Sequence, residues 1–296
     1  MRIEVLKRQV DEVDGEVWNI YGLPEVISTR YSFPSTINLY RRKCYDSLYK
    51  IMKDLLLKPE ITCPVMLFSG VPGIGKSLFS IFCMVNIMLD DATPLKEFFV
   101  EYRQGVYHKF TFVEKQVNSM DDAPSPKCVA HVTLNIEHHL QPNSKTDLIL
   151  SDISDIVEPA LTGRWTCIFA SPNPARYKQT LKAAHRYTYI MPTWSKQELM
   201  HATDNKNDWY ERFVCFGGVP RHVLWDGIGD NPLKILDVAI SAKGSAVVGY
   251  FFQHGFGSID NEISYILVHI NPPWLPHKND WDYMVREGGA MAETNC

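Results

Sequence analysis

Residues 70–77 read Gly-Val-Pro-Gly-Ile-Gly-Lys-Ser and match the pattern G-x-x-x-x-G-K-[ST]. In such a P-loop the backbone N–H groups surround a polyphosphate, because glycines permit positive φ angles and close approach of the anion. Lys76 would reach the β- and γ-phosphates, and Ser77 would ligate Mg²⁺. We therefore expect ATP and Mg²⁺ as cofactors. The expected nucleotide-binding residues are Gly70, Val71, Pro72, Gly73, Ile74, Gly75, Lys76, Ser77 and Leu78.

A second stretch with chemical potential is the apolar run at 148–150, which leads through Ser151 to Asp152. A buried strand that ends in Asp is typical of the carboxylate that holds Mg²⁺, directly or through water, beside the P-loop hydroxyl. Ser77 and Asp152 are therefore the expected metal-binding residues. Many such NTPases place a Glu immediately after this Asp to orient the attacking water, but here the next residue is Ile153.

This departure leaves open whether the chain hydrolyses ATP or only binds it. Asp155 and Glu158 follow Asp152 three and six residues later and are alternative candidates for the role of the missing Glu.

Two further positions are expected to respond to the γ-phosphate. Asn173, two residues after Ser171, follows an apolar run and would sense the γ-phosphate. Arg221 follows Gly217 and Gly218 and would report the phosphate to a neighbouring subdomain. The alternative for Arg221 is that the glycines simply end a helix and the arginine is incidental. The expected catalytic residues are Lys76, Asp152, Asn173 and Arg221.

The elements around these residues alternate between strands and helices. A strand at 65–68 and a helix at 78–89 flank the P-loop, as the motif requires. Ser195 and Glu198 form the pattern of a capping box at a helix start. The other predicted strands are 106–113, 128–134, 165–173 and 187–190, and the other predicted helices are 35–57, 174–184 and 208–216.

The predicted fold class is α/β, a three-layer P-loop NTPase with a mainly parallel sheet and a small C-terminal mixed subdomain. The expected divisions are a loose N-terminus at 1–17, the NTPase domain at 18–222, and the small subdomain with its tail at 223–296.

Several segments allow two interpretations. The aromatic segment 18–24 fits a lid over a nucleotide base or packing in the core. The basic residues Arg41, Arg42, Lys43, Lys50 and Lys53 fit a nucleic-acid contact or a solvated helix face. The histidines at 131, 138 and 139 suggest a metal site, but they lack helical spacing or a cysteine partner, so ordinary histidines are the preferred interpretation.

Composition limits the remaining classes. The 296-residue chain is 45% hydrophobic and carries a net charge of −4, which suits a large globular domain and argues against a dominant polyanion-binding surface. Its seven cysteines are scattered without a C-x-x-C pair, so we expect a reduced protein. We identify no signal peptide and no membrane span, and we therefore expect an intracellular protein with no membrane partner.

Together these motifs resemble the NTPase module of the Crinkler effectors and the related retrotransposon hot spot proteins, over roughly residues 18–272. The P-loop itself is generic, and the later motifs are more specific. The residues that carry the resemblance are the P-loop, Asp152, Ser171-Pro172-Asn173, Met191-Pro192-Thr193-Trp194, and Phe216-Gly217-Gly218-Val219-Pro220-Arg221.

The resemblance implies a protein similar to AAA+ or STAND-type ATPases. It also implies an effector that is secreted into a host cell and acts in its nucleus, or a nuclear protein, with a host or nuclear protein or nucleic acid as partner. The translocation header and the C-terminal effector domain of full-length Crinklers are not recognisable. We therefore expect a fragment or a truncated member.

The sequence supports three functional hypotheses. The first is slow ATP hydrolysis used as a conformational switch. The second is a non-catalytic nucleotide-binding interaction protein, a degenerate NTPase. The third is a P-loop kinase, for which Arg176, Lys178, Lys182 and Arg186 are the candidate lid residues.

Overall fold

The computed structural model describes 4–9, 16–21, 23, 36–57, 65–90, 95, 97–103, 106–113, 128–135, 147–152, 165–171, 186–203, 209–224, and the single positions 234, 237, 240 and 241. In this part of the chain the strands are β1 (Glu4–Gln9), β2 (Glu16–Tyr21), β3 (Ile37–Arg41), β4 (Val65–Ser69), β5 (Glu97–Arg103), β6 (Val106–Val113), β7 (Cys128–Asn135), β8 (Asp147–Ser151), β9 (Trp165–Phe169) and β10 (Arg186–Ile190). The helices are α1 (Lys43–Leu56), α2 (Lys76–Leu89), α3 (Lys196–Ala202), α4 (Trp209–Phe216) and α5 (Pro220–Val223).

The architecture is mixed α/β, with a mostly parallel sheet of seven strands in the order β10-β4-β9-β8-β5-β6-β7. The first five strands in this order run parallel to one another, and β6 and β7 extend the sheet with antiparallel pairing. Strands β4 and β9 are buried along their whole length, as expected for central parallel strands. One strand, β9, therefore lies between the P-loop strand β4 and the Asp152 strand β8.

Helix α2 lies in the main core of the described residues, which explains why its sequence is apolar on all sides. Phe79 makes edge contacts with Phe68 of β4 and with Phe169 of β9. On the side of α2, this core also takes in Leu148 and Leu150 of β8. The α2 helix is thereby fixed against the centre of the sheet, directly after the glycine-rich segment.

A separate three-stranded antiparallel sheet has the order β1-β2-β3. Within the aromatic segment 18–24, Trp18 of β2 packs in the core, because it is only 2% exposed and stacks on Phe82 of α2 at 5.0 Å. Trp18 therefore packs the three-stranded sheet against α2. The N-terminus was expected to be loose, but Glu4–Gln9 pairs with β2 along its whole length.

The predicted helix at 35–57 is wrong at its beginning, because Ile37–Arg41 forms strand β3 and the helix begins at Lys43. In β3 the buried Ile37 and Leu39 alternate with Asn38, and pairing with β2 stabilises this extended form. The buried residues of α1 are Cys44, Tyr45, Leu48, Met52 and Leu55.

The other element predictions that fall in the described residues are confirmed to within a few residues, including β6, β7, β8, β10 and α4. The capping box is confirmed, since Ser195 Oγ accepts from the Glu198 N–H at 3.1 Å and Glu198 Oε2 accepts from the Ser195 N–H at 2.8 Å. The predicted helix at 174–184 lies outside the described residues, as does nearly all of 223–296. Within the part described, no helix has the length and apolar character that crossing a membrane requires.

Candidate functional site

The glycine loop, residues 70–77, joins the carboxyl end of β4 to the first turn of α2. Gly70, Gly73 and Gly75 have φ angles of 151°, 86° and 100°, values that side chains rarely adopt. Helix α2 is 14 residues long and begins at Lys76, so its first backbone N–H groups and the positive end of its dipole face this loop. The local backbone therefore has the form of an anion site at a helix start.

Lys76 lies within the loop and is 8% exposed. Its Nζ donates to the carbonyl oxygens of Gly70 at 2.7 Å and Val71 at 3.0 Å. These contacts hold the ammonium over the start of the loop. An anion in the loop would compensate the charge of this largely buried ammonium.

The loop has no room for side chains at its glycines. A Cβ on Gly73 would lie 2.7 Å from the Arg221 Cβ, and a Cβ on Gly75 would lie 2.7 Å from the Tyr45 hydroxyl. The Tyr45 hydroxyl donates to the carbonyl oxygen of Gly75 at 3.0 Å. Burial raises the pKa of Tyr45, so this phenol stays a neutral donor.

Two segments far along the chain also hold the loop. The indole Nε1 of Trp194 donates to the Ile74 carbonyl oxygen at 2.8 Å, and the Met191 N–H donates to the Ser69 carbonyl oxygen at 2.7 Å. The Trp194 N–H donates to the Gly218 carbonyl oxygen at 2.7 Å. The Met-Pro-x-Trp and Phe-Gly-Gly-x-Pro-Arg motifs are thus joined to each other and to the loop.

Arg221 contacts the loop through its backbone, because its N–H donates to the Gly73 carbonyl oxygen at 3.4 Å. Its side-chain stem lies against Gly73, and the residue is exposed. The glycines before it also end a helix, because Gly217 has a φ of 57° and its N–H donates to the Phe213 carbonyl oxygen at 2.8 Å. The glycines therefore do end the helix, and a phosphate contact by Arg221 stays a prediction.

Arg42 is a site residue that the sequence did not reveal. The preferred interpretation placed it on a solvated helix face, but its side chain is buried. It binds both carboxylate oxygens of Glu198, at 2.9 and 3.2 Å, and donates to the carbonyl oxygens of Pro192 and Thr193. Its guanidinium also lies 5.0 Å from the centre of the Trp194 ring. Arg42 therefore fixes the segment that holds the loop, and its partners lie about 150 residues away.

Asp152 follows β8 at the same edge of the sheet as the glycine loop, because β8 and β4 belong to the parallel set. It is 9% exposed, and its N–H donates to the Glu101 carbonyl oxygen at 2.9 Å. With β9 between them, the axes of β4 and β8 are separated by two strand spacings, roughly 10 Å. Asp152 and Ser77 supply the kind of oxygen that Mg²⁺ prefers, and in phosphate sites this ion needs few protein ligands.

Glu101 is a second residue that sequence reasoning missed. It is the fifth residue of β5, is 1% exposed, and its Oε2 accepts from the Ser151 hydroxyl at 3.1 Å. A charged residue inside an apolar strand was the available signal, because such residues are rarely buried unless they are partnered or functional.

A cavity of about 630 Å³ opens beside the glycine loop. Gly73 and Gly75 line one side of it, Asn19 and Asn38 line the wall formed by β2 and β3, and His201 of α3 lies at another side. Within the described residues the buried His201 Nε2 has no hydrogen-bond partner. The cavity therefore combines amide groups, an imidazole and apolar surface next to the anion site.

Tyr40 also lines this cavity. Burial, with a contribution from the Glu198 carboxylate, raises the pKa of the phenol to about 12, although Arg42 acts in the opposite direction. Tyr40 is thus a neutral hydrogen-bonding group at neutral pH.

Several predicted positions lie outside the described residues, among them Asn173, Asp155, Glu158 and three of the four candidate lid residues, Arg176, Lys178 and Lys182. Ser171 is described and lies after β9, between the ends of β4 and β8. His138 and His139 also lie outside the described part. Among the described residues, no group of three or more His, Cys, Asp or Glu residues is placed to hold a metal ion.

No protein-family model matches the chain. Among curated proteins, it is similar to Crinkler effector protein 16 of Phytophthora infestans, with 27% identity over 226 residues. The alignment covers 71% of this chain and 33% of the relative, so the chain spans about a third of that protein's length. This similarity supports a Crinkler-like relationship, which is the family that the later motifs resemble.

Proposed function

We propose that this chain is a three-layer P-loop NTPase module that binds ATP with Mg²⁺ and hydrolyses it slowly. The observation that carries the proposal is the glycine loop: three glycines at positive φ, a helix start, and Lys76 held over the loop carbonyls. This combination of residue types and backbone form suits a polyphosphate better than any other common ligand.

The roles of the residues follow from their positions. The loop N–H groups and Lys76 would hold the phosphates. Ser77 and Asp152 would hold Mg²⁺, and Asp152 would act through a water molecule because two strand spacings separate β8 from β4. Mg²⁺ would neutralise phosphate charge. Asn173 would sense the γ-phosphate from the segment after β9, and Arg221 would report it through α5.

The cavity beside Gly73 is the proposed position of the nucleoside. Its volume of about 630 Å³ falls within the ordinary range of small-molecule pockets, and it is continuous with the loop. The amides of Asn19 and Asn38 would bind the edge of the base or the ribose, since an amide both donates and accepts hydrogen bonds.

A conformational switch is the proposed use of hydrolysis. The glycine loop contacts α5 through Arg221 and the segment before α3 through Trp194. A change in the phosphates would therefore reach both segments directly. By similarity to a Crinkler effector, we propose that the full protein acts as an effector or a nuclear protein, with a host or nuclear protein or nucleic acid as partner.

The test is ATP binding by the wild-type protein and by Lys76→Ala, measured by thermal shift and calorimetry with Mg²⁺. Lys50→Ala, which removes an exposed lysine of α1, is the control. We expect ATP to stabilise wild type and Lys50→Ala, and to leave Lys76→Ala unchanged. Equal ATP affinity in all three proteins would exclude the proposal.

The position of Ile153 favours a second candidate, a nucleotide-binding interaction protein without hydrolysis. Phosphate release by wild type and Asp152→Ala separates the two. A rate that is higher in wild type supports the hydrolase, and equal background rates support the binder.

A further inference from the structure

Glu101 is a buried carboxylate near the carboxyl ends of the parallel strands, the side of the sheet at which the glycine loop lies. Glu101 ends a run of apolar residues in β5 and is 1% exposed. A carboxylate in such a place is costly unless hydrogen bonds or a nearby cation stabilise it. The Ser151 hydroxyl supplies one of these bonds, at 3.1 Å to Oε2.

Glu101 is also the direct neighbour of the proposed metal-binding residue. In the parallel pairing of β5 with β8, Glu101 lies opposite Ser151, and its carbonyl oxygen accepts from the Asp152 N–H at 2.9 Å. Asp152 follows the carboxyl end of β8, and Glu101 lies close to the carboxyl end of the adjacent parallel strand β5. At this edge the strands of open α/β sheets present their ligand-binding residues.

The Glu101 side chain lies on the same side of the sheet as the Ser151 side chain. Side chains alternate along a strand, so two residues that pair across adjacent strands, such as Glu101 and Ser151, lie on the same side of the sheet. Here the residue before Asp152 is Ser151, and the hydrogen bond shows that the Glu101 carboxylate lies on the Ser151 side. Glu101 therefore places a carboxylate directly beside the strand end that Asp152 follows.

We propose that Glu101 replaces the missing Glu and is the residue that orients and deprotonates the attacking water. This inference rests on the proposed function. It assigns the role to a neighbouring strand and not to Asp155 or Glu158. It also removes the main objection to hydrolysis, which was Ile153 after Asp152.

The reaction would proceed in one displacement. The water oxygen forms a bond to the γ-phosphorus, and the bond from that phosphorus to the bridging oxygen breaks, so that ADP leaves with the electron pair. The water proton passes to the Glu101 carboxylate and then to the departing phosphate or to solvent. Ser151 is a positioning residue in this proposal, because its hydroxyl donates to Oε2 and would act on the water only through Glu101.

The decisive experiment compares Glu101→Gln with wild type in ATP binding and in single-turnover phosphate release. Glutamine has the same shape and can still accept from the Ser151 hydroxyl, but it cannot take a proton. We expect unchanged ATP affinity and at least 100-fold slower phosphate release, within the range that a general base contributes. Glu97→Gln is the matched control, because Glu97 lies on the same strand and pairs with Lys109.

The outcomes separate this inference from the function on which it rests. If the wild-type protein does not bind ATP, the proposed function itself is refuted. ATP binding with a Glu101→Gln rate within threefold of wild type would refute only the role of Glu101, as would ATP binding by wild type without phosphate release.

Two further measurements keep the test decisive if Glu101→Gln does not fold. Glu101→Asp retains a shorter carboxylate, and we expect it to bind ATP but hydrolyse it at least tenfold more slowly. In Glu101→Ala, added formate should restore phosphate release, whereas chloride at equal ionic strength should not. Wild-type rates in the Asp variant, or equal effects of both salts, would overturn the assignment, because a purely structural carboxylate predicts no rescue of the chemical step.

Discussion

Trp194 Nε1 donates to the carbonyl oxygen of Ile74 at 2.8 Å, in a buried contact between residues 120 positions apart. Ile74 lies in the middle of the glycine loop, and Trp194 lies in the segment that leads into α3. The loop conformation is therefore fixed by the tertiary structure as well as by its own glycines. This relationship leads to the first of five predictions.

Trp194→Phe should weaken ATP binding while leaving the chain folded. The variant keeps an aromatic ring but leaves the Ile74 carbonyl without this donor, at a cost of about 1–3 kcal/mol. We expect an affinity loss of about tenfold, which corresponds to about 1.4 kcal/mol, by calorimetry. Trp209→Phe changes a ring that contacts Tyr210 and Phe213 and should bind ATP normally. Equal affinities in both variants would contradict the role of the indole N–H.

Gly73→Ala should reduce ATP affinity more than it reduces stability. Gly73 has a φ of 86°, and a Cβ there would lie 2.7 Å from the Arg221 Cβ, so the loop or Arg221 must move. Gly217→Ala is the control, since its φ of 57° carries a similar backbone cost of about 1–2 kcal/mol at a helix end. The two variants should have similar melting temperatures in thermal unfolding, whereas ATP titration should show a lower affinity for Gly73→Ala than for Gly217→Ala.

Arg42→Leu should destabilise the fold strongly. The substitution removes both hydrogen bonds to Glu198 and removes the Arg42 donors from the Pro192 and Thr193 carbonyls. Breaking such a buried pair costs about 3–5 kcal/mol. In urea unfolding, Lys53→Gln should stay within about 1 kcal/mol of wild type, because it removes only a partly exposed pair with Asp90. A small loss in Arg42→Leu would show that Glu198 and the carbonyls are satisfied in another way.

Arg221→Ala should leave stability within about 0.5 kcal/mol of wild type, since the residue is exposed. If its guanidinium senses the γ-phosphate, the ratio of ATP to ADP affinity should fall, by about fivefold to tenfold for a partly exposed charged contact of about 1–1.4 kcal/mol. Titration with each nucleotide measures this ratio. An unchanged ratio would favour the interpretation in which Arg221 only packs against Gly73.

Cysteine alkylation should separate exposed from buried thiols in the folded protein. Burial raises the pKa of the Cys44 thiol to about 12 and raises the pKa of Cys83 and Cys167 as well, so almost no thiolate forms at pH 8. Cys215 is exposed. Among these four cysteines, mass spectrometry should therefore find Cys215 labelled first, and the three buried positions labelled only after denaturation. Comparable labelling of Cys44 in the folded state would contradict the described core.

The sequence by itself determined the features that depend on neighbouring residues. Eight consecutive residues specify the glycine loop, because their φ preferences and their lysine act locally, and the capping box at Ser195 is equally local. The buried strands β4, β8 and β9 are also recognisable, since central parallel strands are continuous apolar runs.

Only the tertiary structure decided the surroundings of the loop. The pattern at 35–57 fits a helix until pairing with β2 makes Ile37–Arg41 a strand. By its neighbours alone Arg42 fits a solvated helix face, but in the fold it binds Glu198, 156 residues away. Glu101 acquires its proposed role only because β5 pairs with β8. Backbone pairing and burial between distant segments set these positions, and no local spacing of residue types records which segments will meet.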